Sequence, residues 1–146
     1  MSRRINLSSR IVVEKNICVF LQDLESNSPI ELQVAHGEGK FVMSPSTLSQ
    51  IEKNGQVVFR YVDPKGQPTQ EYPFNPNGSP NAIAGITDPS GRILGLMPHP
   101  ERSILKSQYP NWRRMGDFNP KAWKFLKEWS STLRRCNTNT SPGTVR

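Results

Sequence analysis

His99 and Glu101 are the residues whose types and spacing best suit catalysis in this chain. Prolines stand on both sides of the histidine, and proline fixes its own φ, lacks an N–H and disfavours helix in the residue before it. We therefore predict that the chain runs extended from Met97 to Glu101. Side chains two residues apart in an extended chain project from the same face, so the carboxylate can hydrogen-bond the imidazole. Such a pair forms the base and the orienting carboxylate of a nucleophilic triad, which a thiol or hydroxyl would complete.

The elements upstream of this pair place it at the end of a strand. The stretch from Arg92 to Met97 is predicted to be a strand that follows a turn at Asp88 to Gly91. His99 then falls just past the carboxyl end of a strand, where the active sites of open α/β sheets lie. Taken alone, a histidine two residues before a glutamate is also typical of a structural pair. The surrounding sequence has to decide between these interpretations.

Four ordered blocks of the sequence resemble the glutaminase component of phosphoribosylformylglycinamidine synthase, a class I glutamine amidotransferase. The blocks are Ala35–Phe41, Gln56–Tyr61, Asn75–Ser79 followed by Ile83–Ile86, and Met97–Arg102. The resemblance covers roughly residues 6 to 102 and follows the order and spacing of the second half of that domain. It implies an α/β fold: the C-terminal part of a flavodoxin-like, doubly wound domain without its N-terminal central strands.

The reaction that this resemblance implies is hydrolysis of the glutamine side-chain amide through a cysteinyl thioester. Ammonia would pass to a partner, the large synthetase subunit, as part of an ATP-dependent carbon–nitrogen ligase. With ATP and Mg²⁺, that subunit would convert formylglycinamide ribonucleotide to its amidine in purine biosynthesis. On this chain, His99 matches the general base and Glu101 its orienting residue. The resemblance implies no cofactor on the chain itself.

The nucleophile has no match in this chain. In the family it stands in a strained G-x-C-x-G elbow, upstream of the block that matches Asn6. Cys18 lies between two β-branched residues, which an elbow would not tolerate, and is predicted to be a buried strand residue. Cys136 is predicted to be an ordinary exposed thiol in a polar tail, where nothing would hold it near His99. We therefore expect the chain alone to be inactive as a glutaminase.

Three interpretations account for the missing elbow. The preferred one is that this is the C-terminal piece of a glutaminase whose N-terminal half is encoded upstream, through a split gene, a frameshift or a misplaced start. The second is a degenerate homologue that only binds or scaffolds the synthetase. The third is a basic chain of unrelated role that binds nucleic acid. A remnant without the central strands would expose an unpaired edge and an apolar face, so we expect it to be marginally stable or prone to aggregation.

Two further loops carry chemistry-bearing residues. They are predicted to lie on the active face or against the partner, and their residues are His36, Gly37, Glu38, Gly39, Asn75 and Asn77. For the asparagine loop a plain turn is the slightly favoured alternative. His36 and Glu38 repeat the spacing of the His99 pair, so a metal site made of two histidines and two carboxylates is an alternative interpretation. The zinc deaminase signature also opens in this way, but its downstream Pro-Cys-x-x-Cys is absent, so we predict no metal.

Composition narrows the class of protein. The chain has 146 residues, 34% of them hydrophobic, and it has no long apolar run. We therefore expect no membrane span and no secretory segment, and cytoplasm is the default location. The net charge of +7 is spread in small groups without an aromatic-interleaved motif, so nucleic-acid binding is not favoured. Two cysteines so differently placed do not suggest a disulfide framework.

The remaining pattern predicts alternating strands and two helices. Strands are expected at residues 11–21 (one bent or two short), 30–36, 56–62, 82–87 and 92–97. A short helix should begin after the cap Ser44 and stop at Gly55. A last helix over about 120–133 should pack on the sheet through Ala122, Leu126, Trp129 and Leu133, with Trp123 and Phe125 widening this face. Residues 1–133 then form one partial domain and residues 134–146 a disordered tail.

Overall fold

The structure is a computed structural model that describes residues 5–22, 24, 28–36, 39–116 and 121–138. Within these residues the chain forms five strands: β1 (Ile5–Val13), β2 (Ile30–His36), β3 (Val57–Tyr61), β4 (Ile83–Thr87) and β5 (Leu94–Leu96). It also forms two α-helices, α1 (Pro45–Lys53) and α2 (Lys121–Thr138). The predicted order of strands and helices is confirmed.

The five strands make one sheet in the order β2-β1-β3-β4-β5. Every neighbouring pair is antiparallel, and Ile11 of β1 faces both Ile30 of β2 and Tyr61 of β3. Beyond β5, His99 forms an isolated antiparallel bridge with Gln33 of β2, at the other edge of the sheet. The sheet therefore curls until the chain that follows one edge strand reaches the opposite edge strand.

Helix α1 forms where its capping signals predict it. Ser44 is extended, and its hydroxyl accepts a hydrogen bond from the amide of Thr47 at 3.1 Å, which satisfies one of the free donors of the first turn. Pro45 occupies the first helical position, where no N–H is needed. The side chain of Glu52 then reaches Arg60 on β3 at 3.2 Å, which ties the helix to the sheet.

Helix α2 buries a narrower face than the sequence predicts. Its apolar contacts come from Ala122, Phe125, Leu126 and Trp129, which recur at the spacing of one helical face. The Phe125 ring packs at 5.5 Å from Phe59 and at 4.5 Å from Trp129, measured between ring centroids. The predicted role of Trp123 in this face is wrong, because this residue is 54% exposed, whereas Leu133, 55% exposed, lies beside Phe20, Leu94 and Trp129 at the end of the face. Trp123 lies one residue, about 100° of helix rotation, away from Ala122 and points off the sheet.

Two predicted boundaries are also wrong. Helix α2 continues to Thr138, so Cys136 lies on its last turns rather than in a tail; no glycine or proline interrupts the chain before Pro142. The rest of the predicted tail, residues 139–146, lies outside the described residues. The strand predicted at residues 11–21 instead runs from Ile5 to Val13. It ends there because the Asn16 side chain donates to the Glu14 carbonyl and accepts from the Cys18 amide. Such local bonds compete with a strand ladder.

Among the described residues, neither helix combines the length and the apolar character that crossing a membrane requires.

Candidate active site at one end of the sheet

Strand direction brings three loops to one end of the sheet. In an antiparallel sheet, β2 ends, β4 begins and β5 ends at the same side. The loops that follow β2, precede β4 and follow β5 therefore leave together. Two of them are joined directly: the Asn77 side chain donates to the Gly39 carbonyl at 3.2 Å, and the Phe41 amide donates to the Ser79 hydroxyl at 3.3 Å. The third loop carries the His99 segment.

His99 and Glu101 are in contact, as the sequence predicts. The Nδ1 atom of His99 lies 2.9 Å from the Oε1 atom of Glu101. The side chains are 35% and 59% exposed, so the pair lies at the surface, open to a partner or substrate. The next nearest charge is the guanidinium of Arg102, whose Nε atom is 3.9 Å from the same carboxylate oxygen.

The backbone that makes this contact differs from the predicted extended chain. His99 is extended, with φ −102° and ψ 96°, but Pro100–Ser103 forms a 3₁₀ helix. The prediction of extended chain through Glu101 is wrong because Pro100 occupies the first helical position, where its fixed φ suits a turn and its missing N–H costs nothing. The Arg102 amide donates to the His99 carbonyl at 3.2 Å and closes the turn. Glu101 is thereby folded back onto the imidazole.

The arrangement fixes which ring nitrogen is available for chemistry. An ionised carboxylate only accepts hydrogen bonds, so the neutral imidazole carries its proton on Nδ1, toward Glu101. The lone pair of Nε2 is then left to accept a proton from a nucleophile or a water molecule. As the ring becomes an imidazolium, the adjacent carboxylate stabilises its charge. The pair therefore has the geometry of a general base with its orienting residue.

Cys18 lies at the other end of the sheet. The Val19 amide donates at 3.0 Å to the carbonyl of Gly91, which belongs to the turn between β4 and β5, whereas His99 follows the far end of β5. The thiol is fully buried, as predicted, although in a turn rather than a strand. Burial raises the pKa of the Cys18 thiol, which disfavours the nucleophilic thiolate. Cys18 is thus neither near His99 nor activated.

The other loop residues divide into two groups. Asn75 is buried and uses its side chain within its own turn, donating to the Ser79 carbonyl at 2.9 Å and accepting from the Ser79 amide at 3.0 Å. This supports the turn interpretation for Asn75. His36 ends β2 at the same end of the sheet as His99, and Gly39 is buried beside Asn77. Gly37, Glu38 and the side chain of His36 lie outside what the structure describes, so their roles stay predictions.

Within the described residues, no group of three or more histidine, cysteine, aspartate or glutamate side chains is placed to hold a metal ion.

No sequence pattern pointed to the residues that hold the His99 segment in place. The Tyr109 hydroxyl donates to the Ser103 carbonyl at 3.0 Å, and the Gln33 carbonyl accepts from the His99 amide at 2.8 Å. Gln33 looks like an ordinary polar position of a half-buried strand, and Tyr109 like a loop aromatic before a proline. A tyrosine in a polar loop is the one signal that the sequence offers, and it does not show which backbone group the hydroxyl binds.

Comparisons with known proteins find relatives that match most of this chain. A family model described as a CobB/CobQ-like glutamine amidotransferase domain matches residues 2–134. The phosphoribosylformylglycinamidine synthase subunit PurQ of Methanococcus maripaludis strain C7 is 46% identical over 100 residues, which are 68% of this chain and 36% of that protein. The same subunit of Chlorobaculum parvum is 50% identical over 95 residues, which are 65% and 37% of the two chains.

A solved structure, described as the structure of PurLQS from Thermotoga maritima, superposes with a TM-score of 0.63 at 26% identity. The match covers 90% of this chain and 49% of that one, so the chain spans less than half the length of these relatives. This likeness confirms the predicted fold class, an α/β chain that corresponds to part of a class I glutamine amidotransferase domain.

Proposed function

Since this chain belongs to the CobB/CobQ-like glutamine amidotransferase domain family, we propose that it supplies the histidine-bearing part of the glutaminase of a phosphoribosylformylglycinamidine synthase. The observation that carries the proposal is the hydrogen bond from His99 to Glu101, at the sheet end where three loops meet. A base whose Nδ1 is held by a carboxylate is what nucleophilic hydrolysis of an amide requires. Both curated relatives are named as subunits of phosphoribosylformylglycinamidine synthase, which supports the assignment to this synthase.

In the proposed reaction, Nε2 of His99 takes the proton of a cysteine thiol while the sulfur attacks the carboxamide carbon of glutamine. The imidazolium returns that proton to the departing nitrogen, so ammonia leaves and a thioester remains. Water then attacks the thioester with His99 again as the base, which releases glutamate and restores the thiol. Glu101 remains ionised throughout and stabilises the imidazolium in both steps.

We propose that the thiol comes from outside the described residues. Cys18, the cysteine whose side chain the structure describes, is buried at the far end of the sheet. Cys136 lies in the regular last turns of α2, not in a strained strand-to-helix elbow. Without that thiol the covalent route is closed, so this chain by itself should release no glutamate above background. The cytoplasm suits the proposal because a catalytic thiol stays reduced there.

The ammonia is proposed to pass to a large synthetase subunit, which would use ATP and Mg²⁺ to convert formylglycinamide ribonucleotide to its amidine. The relative from Saccharomyces cerevisiae supports one assembly for both activities: it is called phosphoribosylformylglycinamidine synthase, and the matched region, 80% of this chain, is only 8% of that protein. Residues 39–41 and 75–79 are hydrogen-bonded to each other and leave the sheet at the same end as His99. This supports the assignment of the two loops, His36 to Gly39 included, to the active face or to the contact with this subunit.

The test is reconstitution. The chain is co-expressed with the N-terminal half of the Chlorobaculum parvum relative, and glutamate release is measured for the chain alone and for the assembly. We expect activity only in the assembly, loss of activity on His99→Ala, and full activity on Cys18→Ser. Activity of the chain alone that is lost on Cys18→Ser would overturn the assignment of the nucleophile. If the assembly is inactive and the chain co-purifies with a synthetase subunit expressed beside it in a second experiment, a binding or scaffolding role is established instead.

A further inference from the structure

The backbone of the His99–Glu101 pair is held by Gln33, a residue far from the pair in the sequence. The His99 amide donates to the carbonyl of Gln33 on β2 at 2.8 Å, which fixes the backbone of the histidine against the sheet. The side chain of Gln33 donates in turn to the main-chain carbonyl of Gln108. One residue of β2 therefore contacts both His99 itself and Gln108, which follows the pair in the chain.

Gln108 closes the loop from within. Its side-chain oxygen accepts from the amides of Ile104, at 2.9 Å, and Leu105, at 2.7 Å. Its side-chain nitrogen donates to the main-chain carbonyl of Glu101 at 3.1 Å. Both lone pairs of the oxygen and one N–H are thus used on the loop, and the N–H contact anchors the backbone of the residue whose carboxylate orients His99.

The Glu101 side chain has little else to hold it. It is 59% exposed, and apart from His99 its nearest charged neighbour is Arg102 at 3.9 Å. An exposed carboxylate with so few contacts samples several rotamers, and a rotamer can pair with His99 only when the backbone of Glu101 lies where the imidazole is within reach. The backbone position of Glu101 therefore decides how often the pair is formed.

We propose that Gln33 and Gln108 are positioning residues: together they hold the backbones of His99 and Glu101 so that Nδ1 stays paired and Nε2 stays free. The inference rests on the proposed function, in which His99 is the base. It predicts a direct signature, because the pairing sets the tautomer of the ring. A loosened Glu101 lets the Nδ1 proton migrate to Nε2, which removes the lone pair that catalysis needs.

The chain allows the tautomer to be measured cleanly, since it contains only two histidines, His36 and His99. The full chain is labelled with ¹⁵N-histidine, and the imidazole ¹⁵N shifts report which nitrogen carries the proton. A His36→Gln variant assigns the two rings. We expect the His99 ring of the wild type to be protonated mainly on Nδ1.

Two substitutions at Gln108 separate its contacts. Gln108→Ala removes all of them, whereas Gln108→Glu keeps an acceptor for the two amides and replaces the donor facing the Glu101 carbonyl with a repelling oxygen. Both should lower the Nδ1-protonated fraction of His99 by about two-fold or more. Gln33→Glu, which removes the donor to the Gln108 carbonyl, should act in the same direction. The control is Gln50→Ala on the exposed surface of α1, which should leave the fraction unchanged.

An unchanged tautomer in folded Gln108→Ala and Gln108→Glu chains would overturn the proposal. So would loss of the folded far-UV circular dichroism in both, because Gln108 would then serve global stability. In the reconstituted assembly, Gln108→Glu should lower kcat by roughly ten- to a hundred-fold, with KM within about two-fold of the wild type. Retained activity in His99→Ala would refute the proposed function, whereas the tautomer result would still stand on its own.

Discussion

The contact between Gly91 and the Cys18 segment makes a sharp prediction about stability. Gly91 has φ +72°, and a Cβ atom added there would lie 2.2 Å from the Ile17 carbonyl oxygen and 3.0 Å from its carbon. The obstructing atoms are backbone, so they cannot swing aside as a side chain would. The same segment donates the Val19 amide to the Gly91 carbonyl at 3.0 Å. Gly91→Ala must therefore push the two segments apart.

Gly78 provides a matched control. Its φ is +61°, and a Cβ atom there would meet nothing within 4 Å. Both alanine variants bear the cost of a left-handed residue, about 1–2 kcal/mol. Gly91→Ala adds overpacking of about 1–3 kcal/mol and the loss of one hydrogen bond, about 0.5–1.5 kcal/mol. We expect its free energy of unfolding to fall about 2–4 kcal/mol further than that of Gly78→Ala.

The measurement is urea unfolding followed by far-UV circular dichroism. With a slope of about 2 kcal/mol per molar urea, the midpoint of Gly91→Ala should lie about 1–2 M below that of Gly78→Ala. Equal midpoints would show that the turn between β4 and β5 does not press on the Cys18 segment. The placement of Cys18 at the end of the sheet opposite His99, and with it the exclusion of Cys18 as the nucleophile, would then fail.

Three further predictions concern the site, the core and pH. In the reconstituted assembly, Glu101→Gln should lower kcat by about 10²–10⁴-fold, because it removes the carboxylate that holds the His99 ring in its Nδ1-protonated tautomer. A fall in kcat no larger than that caused by Arg102→Gln would contradict the pairing. In urea unfolding, Phe125→Ala should lower the free energy of unfolding by about 3–5 kcal/mol, whereas Trp123→Ala, at an exposed position, should lower it by less than about 1 kcal/mol. Equal decreases in the two variants would refute the assigned helix face. Hydrogen bonds from Ser90 and neighbouring amides lower the pKa of Asp88 to about 2. Its stabilisation is therefore complete above about pH 5 and is lost as the pH falls from there toward about 2. Asp88→Asn should flatten that part of the pH dependence of the urea midpoint, and an unchanged slope would exclude this cause.

Local patterns were sufficient for much of the fold. The alternation from Ile30 to Val34 predicted β2, and the cap at Ser44 predicted the start of α1, because periodicity and capping depend on residues a few positions apart. The tight spacing of His99 and Glu101 predicted their contact for the same reason. The backbone that makes the contact was mispredicted, since a proline signals both an extended predecessor and the start of a helical turn.

What the sequence determined by itself is the contact between His99 and Glu101, the place of this pair after a strand and the family to which the flanking blocks belong. Only the tertiary structure decided that β1 lies between β2 and β3, that the sheet curls until His99 meets Gln33, and that Gln108 anchors Glu101. It also decided that Cys18 faces the far turn. Most of these contacts join residues far apart in the chain, and the one between Gln108 and Glu101, seven positions apart, closes an irregular loop. They depend on how the whole sheet pairs and curls, which no local period of side chains specifies.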